Sequence, residues 1–415
     1  MKINKVHFED HPFFGTMDID FSGSDGSRPL NTVVIAGING SGKTTLLDAI
    51  VDMMTDAANP LEKSYLEIEL TELYEKKLLH WEYYDLSSVL GWNDGDENKR
   101  RREIIKFNAG KKDESRNLID KFKQLEDSEK PRIVYMPTEI NFSKIVPKIN
   151  PYVYKYKFLN IVDENVAQDV PNYFATDIDR GVYSSDQKPA AESIKKVCDE
   201  INSIFKELEM ESWITGLKKD GSRMPIFRNK IGKEFDITGL SSGEMQLFLR
   251  IMSLRMMQIN NSIILVDEPE ISLHPSWQQR IIKVYENIGK NNQVIAATHS
   301  PHVVSSVPNE NLRILLVDPP GIQVLDHRDI RNSYGVAIKR VLKDIMLLKS
   351  DRDPEIQSRI DGLKSDLKRD DYNPAKFETS FNELEEILGT TDEELIRIKM
   401  EMLRKEKKAR DAENR

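Results

Sequence analysis

The sequence predicts an α/β fold organised around a buried parallel sheet. Three observations predict it. The runs TVVIAG (32–37), SIILV (262–266) and NQVIAATHS (292–300) are almost unbroken in apolar residues. Each run stops at a glycine or at polar residues, and each is followed by a segment of helical character. Strands covered by helices on both faces read this way, whereas a half-exposed strand alternates.

Composition sets the outer limits. A chain of 415 residues exceeds one compact core, so large insertions or a second small domain are expected. With 39% hydrophobic and 31% charged residues the chain reads as an ordinary globular protein. No window approaches the roughly 18 consecutive apolar residues of a membrane span. The N-terminal MKINKVHFEDHPFF lacks the apolar stretch and cleavage site of a secretory signal. A soluble, cytoplasmic protein without a membrane partner is expected. Cys198 stands among Ile194, Val197, Ile201, Phe205 and Leu208 at helical spacing, so it reads as core. The net charge of −9 disfavours a generally basic, nucleic-acid-coating surface.

The first run leads into GINGSGKTTLLDAIVDMM, in which Gly37, Gly42, Lys43 and Thr44 fit the G-x-x-x-x-G-K-[ST] phosphate-binding loop. Buried strand, loop and a helix bearing Leu46, Leu47, Ile50 and Met54 supply the context that motif needs. The glycines let successive amides turn toward phosphate oxygens, and the helix N-terminus adds partial positive charge. Asn39, Gly40, Ser41, Gly42, Lys43, Thr44 and Thr45 are therefore the candidate ATP contacts. Lys43 would reach the β and γ phosphates, and Thr44 would ligate Mg²⁺.

Residues 61–130 are charge-rich, with NDGDENKRRRE and GKKDESR reading as exposed loops of an insertion. The KRRR run within it reads as solvated. PRIVYMPTE (131–139) returns to a short strand whose polar end offers Thr138 and Glu139 as candidates for positioning water or metal. Residues 140–235 form a second expected insertion, with an amphipathic helix near 190–210. The run at 262–266 delivers Asp267 and Glu268 together. Asp267 would hold Mg²⁺, and Glu268 would polarise the attacking water. His274, before Pro275, reads as structural at a helix start. The run at 292–300 ends in Thr298, His299 and Ser300, where His299 could sense the γ-phosphate.

In this order the motifs resemble the ABC-class ATPase head, over residues 1–325. Residues 37–44 resemble Walker A, LSSGE (240–244) the ABC signature, 263–268 Walker B, 270–273 the D-loop and His299 the switch histidine. The resemblance implies two heads dimerising head-to-tail around two ATPs. Ser241, Ser242, Gly243 and Glu244 of one copy would then meet the ATP held by the other. No clear glutamine-loop residue follows the strand near 132–136, and Glu139 is only a positional equivalent.

The interval of 198 positions, from 43 to 241, disfavours a transporter subunit, and the lack of sustained heptads disfavours a long-coiled-coil SMC protein. DEPEISLHP, ATHSP and SYG resemble the OLD-like, SMC-related branch, including ATPase subunits of anti-phage systems of the PARIS, Septu and retron kinds. No fused TOPRIM nuclease is expected. The resemblance implies an ATP-hydrolysing regulatory subunit controlling a separately encoded effector, a nuclease by preference. A RecF-like DNA-repair ATPase is the alternative, and a transporter ATPase is disfavoured. Residues 326–415 show helical spacing at Ile356, Ile360 and Leu363, then at Phe377, Phe381, Leu384 and Leu388, with breaks at Asn373-Pro374 and Gly389. Three helices for partner binding or oligomerisation are expected there, with a frayed end.

Overall fold

The structure, a computed structural model, describes residues 1–26, 28–55, 61, 63–79, 103–108, 114–138, 152–153, 155–184, 189–318, 321–348, 350, 352–369 and 373–413. Glu139, the KRRR run and most of the loops read at 93–116 lie outside these residues. The chain divides into two compact units, Met1–Val341 and Leu342–Arg415.

In the first unit, the strands among the described residues are β1 (Lys2–His11), β2 (Gly15–Asp20), β3 (Thr32–Gly37), β4 (Tyr65–Glu69), β5 (Ile104–Phe107), β6 (Ile133–Met136), β7 (Leu159–Ile161), β8 (Ser212–Leu217), β9 (Pro225–Asn229), β10 (Glu234–Asp236), β11 (Ile263–Asp267), β12 (Gln293–Thr298), β13 (Leu312–Asp318) and β14 (Gly321–Leu325). The largest sheet has the order β14-β13-β3-β12-β11-β6-β7. Its pairs from β13 to β7 are parallel, and β14 returns antiparallel at the edge. Every residue of β3, β11 and β12 is buried, as their apolar runs require. The carboxyl ends of β3, β12, β11 and β6 therefore sit side by side, at the edge where such sheets bind ligands.

The helix Lys43–Met54 buries Leu46, Leu47, Ile50, Met53 and Met54 in one core with Val33, Ile35, Leu265 and Ile295. Each such side chain contributes about 1.5–3 kcal/mol of burial. That packing fixes the direction of the loop preceding the helix.

Residues 61–130 were expected as an insertion with exposed loops; their described residues contribute to this core. Strands β4 and β5 complete an antiparallel sheet of order β2-β1-β4-β5. The stretch YLEIE alternates, so Leu66 and Ile68 are fully buried beside Phe107. Its charged positions, which gave the segment its polar texture, occupy the other pleat. Gln293 couples the two sheets: its amide donates to the carbonyls of Ile3 and Leu30, each at 2.9 Å, and its carbonyl accepts from the Ile3 amide at 2.6 Å.

Within residues 140–235, helices Glu164–Tyr183 and Ala190–Ile204 accompany a small antiparallel sheet of order β10-β9-β8. Strand β7 from the same region extends the central sheet beside β6. Cys198 is buried as its helical neighbours suggested, and burial pushes its thiol up to about 11.

The second unit holds helices Pro354–Lys368, Pro374–Leu388 and Glu393–Glu413. Asp353 and Asn373 cap the first two with their side chains, each just before a proline at the permissive first position. Gly389 ends the second helix at φ +82°. Ile360, Leu363, Leu367, Phe377, Phe381, Leu384, Leu395 and Ile398 form its core.

Candidate active site

The loop between β3 and the helix Lys43–Met54 turns through Gly40 at φ +77° and Gly42 at φ +92°, backbone angles that side chains with a Cβ rarely adopt. Asn39 and Gly40 are exposed, while Ser41, Gly42 and Lys43 are buried. The Lys43 ammonium donates to the carbonyls of Gly37 and Ile38, each at 3.0 Å. Burial lowers its pKa to about 8, opposed by the carboxylates of Glu268, Asp267 and Glu270. The Ser41 hydroxyl is buried without a hydrogen-bond partner among the described residues. An orphaned hydroxyl and a cation resting on two carbonyls are what a phosphate would complete.

Asp267, at the end of β11, gathers two hydroxyls on one carboxylate oxygen. Thr44 donates to its Oδ2 at 2.9 Å and Thr138 at 2.8 Å. Three hard oxygen ligands thus converge from the phosphate loop, β11 and the second residue after β6, a set that suits Mg²⁺. Below them the Tyr135 hydroxyl donates to Asp48 at 2.9 Å. Burial raises Asp48, the Tyr135 bond opposes this, and the Asp267 charge adds to the rise.

Glu268 adopts φ +47°, an angle that costs a residue with a Cβ about 1–3 kcal/mol. Its amide remains bonded to the Ala297 carbonyl at 2.9 Å, so the turn is held from β12. His299 Nε2 lies 3.4 Å from Glu268 Oε1. Burial lowers the His299 pKa and Lys43 lowers it further, while Glu268, Asp267 and the Gly37 backbone oppose the shift. His274 accepts from the Ser276 amide and caps a short helix, in keeping with its structural reading.

The signature residues stand apart from this cluster in their bonding. Two amides of LSSGE, those of Ser241 and Glu244, are engaged locally. Ser241 caps the helix Ser242–Met256 in a full capping box: its hydroxyl accepts from the Glu244 amide at 3.3 Å, and its own amide donates to the Glu244 carboxylate at 3.0 Å. A serine followed three positions later by glutamate is the sequence sign of that box, so it was available to sequence reasoning. Ser242 is exposed and Gly243 buried. A Cβ on Gly243 would come within 2.4 Å of the Ser272 carbonyl, so only glycine fits.

Phe13, at the turn between β1 and β2, was missed. A Cβ on Gly42 would lie 2.1 Å from its ring, and the ring itself is 39% exposed. Arg250 was missed as well: buried in the signature helix, it donates to the carbonyls of Pro137 and Thr138 at 3.1 and 2.9 Å. Nothing local in the sequence marks either contact.

The family described as "AAA domain, putative AbiEii toxin, Type IV TA system" matches residues 33–305, from the first buried strand to just beyond the histidine turn. The chain belongs to this family. The match lies within the mixed α/β unit Met1–Val341, which a helical C-terminal region follows. The "Septu protein PtuA" of Bacillus thuringiensis is 24% identical over 373 residues, covering 86% of this chain and 88% of the relative. The "Retron Vc95 probable ATPase" of Vibrio cholerae serotype O1 biovar El Tor is 32% identical over 144 residues, covering 35% of this chain and 28% of that one. Among solved structures, an SMC head bound to the C-winged helix domain of ScpA has a TM-score of 0.45 at 13% identity, covering 78% of this chain and 98% of that one. Among the described residues no helix is long and apolar enough to cross a membrane.

Proposed function

We propose that the chain binds Mg·ATP between residues 37–45 and the cluster Thr44, Asp267, Thr138, and hydrolyses it slowly as the regulatory subunit of an anti-phage system. The observation that carries the reading is the convergence of Thr44 and Thr138 on Asp267 Oδ2, beside Lys43 and the Glu268–His299 pair. Lys43 exchanges its two carbonyl partners for phosphate oxygens, and the Ser41 hydroxyl gains the acceptor it lacks. Thr44, Thr138 and Asp267 hold Mg²⁺, which supplies neutralisation of phosphate charge. Glu268 accepts a hydrogen bond from the attacking water, and neutral His299 directs an N–H at the γ-phosphate. The exposed face of Phe13 beside Gly42 offers a stacking surface for the adenine.

Within one copy the hydrogen bonds of Ser241 and Glu244 close on each other rather than on this cluster. Two copies therefore dimerise head-to-tail, each Ser242 and signature-helix N-terminus meeting the ATP of the other. Closure of the heads then licenses or restrains a separately encoded effector, a nuclease by preference.

The test is sedimentation of the Glu268→Gln chain with Mg·ATP. A dimer that forms with ATP, dissociates on its removal and is lost in Ser242→Arg supports the composite site. A monomer at ATP saturation rejects it. A RecF-like role would instead show as ATP-dependent duplex DNA binding that weakens steeply with salt.

A further inference from the structure

Glu270 lies two residues beyond the catalytic candidate Glu268, is only 8% exposed, and belongs to no ligand set described above. Its Oε1 accepts three hydrogen bonds from the end of the neighbouring strand: from the Thr298 hydroxyl, from the His299 amide at 3.1 Å and from the Ser300 amide at 3.0 Å. The turn that carries it is closed by the Ile271 amide on the Glu268 carbonyl and by the Leu273 amide on the Glu270 carbonyl, at 3.2 and 3.0 Å. Gln278 ties the same two segments a second time, donating to the Leu273 carbonyl and accepting from the Ser300 hydroxyl at 2.9 and 2.7 Å.

We propose that Glu270 is the positioning residue of the site: it fixes the backbone at 298–300 so that His299 faces Glu268 and the γ-phosphate. This rests on the reading of His299 given above. Chain geometry supplies the reason. Beyond Thr298 the backbone leaves the ladder of β12, so the amides of His299 and Ser300 lose their strand partners and need another acceptor; the Ser300 amide finds a second one in the Thr298 hydroxyl at 2.9 Å, and the His299 amide has Glu270. A carboxylate that takes both amides and the preceding hydroxyl on one oxygen defines the direction in which residue 299 leaves the sheet. The second oxygen, Oε2, is buried without a hydrogen-bond partner among the described residues. Only Oε1 is therefore engaged, and an amide in place of the carboxylate keeps that acceptor.

Steady-state ATPase measurements on the full chain test this, with Glu270→Ala, Glu270→Gln, His299→Ala and the double variant Glu270→Ala/His299→Ala. Displacing a catalytic group by a fraction of an ångström to an ångström costs about ten- to a hundredfold in rate, so Glu270→Ala should lower kcat by about tenfold or more. The KM for ATP should stay within about threefold, because the phosphate loop is untouched. Glu270→Gln should retain most of the activity. The double variant should be no slower than His299→Ala, since a residue acting only through His299 has nothing left to position. Should Glu270→Ala fail to fold, Glu270→Asp replaces it: one methylene shorter, its oxygen withdraws from the two amides and kcat should fall likewise.

Normal kcat in Glu270→Ala or Glu270→Asp overturns the proposal, and so does a double variant slowed by the full product of the single effects, which would mark Glu270 as only structural. If His299→Ala itself turns over normally, the reading of His299 falls together with that of Glu270. If His299→Ala is slow while Glu270→Ala is not, only the positioning role falls.

Discussion

His299 Nε2 stands 3.4 Å from Glu268 Oε1, at the ends of two neighbouring parallel strands and beside the Lys43 ammonium. Burial and Lys43 together hold the His299 pKa below its ordinary 6.5, so the ring is neutral at pH 7. The unfolded chain binds a proton at this histidine more readily than the folded one. The resulting penalty is full below the lowered pKa, shrinks as pH rises toward 6.5, and is absent above it. Denaturant midpoints of the native chain should therefore rise as pH approaches about 6.5 from below, with a component that His299→Gln removes. An unaltered pH slope in His299→Gln would show that the ring is not held neutral.

Glu268→Gln keeps the shape of the turn and removes the carboxylate. ATP binding should persist while turnover falls by about a hundredfold or more, the usual range for a general base. Single-turnover hydrolysis at the native rate in this variant would reject Glu268 as the group that activates water.

Lys43 carries a different pH signature. Its pKa of about 8 in the free chain reflects burial without an anion, and bound phosphates would raise it again. Binding ATP near pH 8.5 should then take up a proton, and affinity should decline as pH rises through 8 and above. Calorimetry in two buffers of different ionisation enthalpy reads the uptake directly. Lys43→Ala should abolish it along with most of the affinity; proton-neutral binding by the native chain at pH 8.5 would contradict the assignment.

Phe13 touches the phosphate loop at Gly42 and leaves much of its ring exposed. Base stacking on an aromatic ring is worth about 1–3 kcal/mol by alanine substitution, so Phe13→Ala should raise the KM for ATP by roughly 5- to 150-fold. Phe13→Tyr should keep it. Equal loss with inorganic triphosphate in place of ATP would show that the ring supports the loop and not the base.

The contrast between these residues shows what the sequence could carry. Asp267, Glu268 and His299 were legible because each follows an apolar run, and the parallel sheet turns three distant runs into adjacent strand ends. The strand Tyr65–Glu69 was harder to read, because Leu66 and Ile68 alternate with glutamates and their period of two was hidden inside a charged texture. The capping box at Ser241 and Glu244 has a sequence sign, a serine three positions before a glutamate. By contrast, Phe13 beside Gly42, Gln293 between two sheets and the three bonds of Glu270 depend on which segments fold together. Local spacing records none of them.

Thr138 follows the short strand β6, and its hydroxyl shares Asp267 Oδ2 with that of Thr44. Its backbone carbonyl is held separately, by Arg250 at 2.9 Å. Thr138→Val keeps the side-chain shape and the Arg250 bond while deleting the hydroxyl. The loss should fall on the metal and not on the fold: the midpoint of thermal unfolding should move little without ligand, since one hydrogen bond contributes about 0.5–1.5 kcal/mol. The Mg²⁺ concentration giving half-maximal ATPase should rise by about tenfold, as seen when groups that orient metal ligands are removed. Arg250→Met in the native background should do the reverse. It removes the donor to two part-buried carbonyls at Pro137 and Thr138 and lowers stability first. A Thr138→Val chain with native Mg²⁺ dependence would remove Thr138 from the metal site and leave Thr44 and Asp267 to hold the ion.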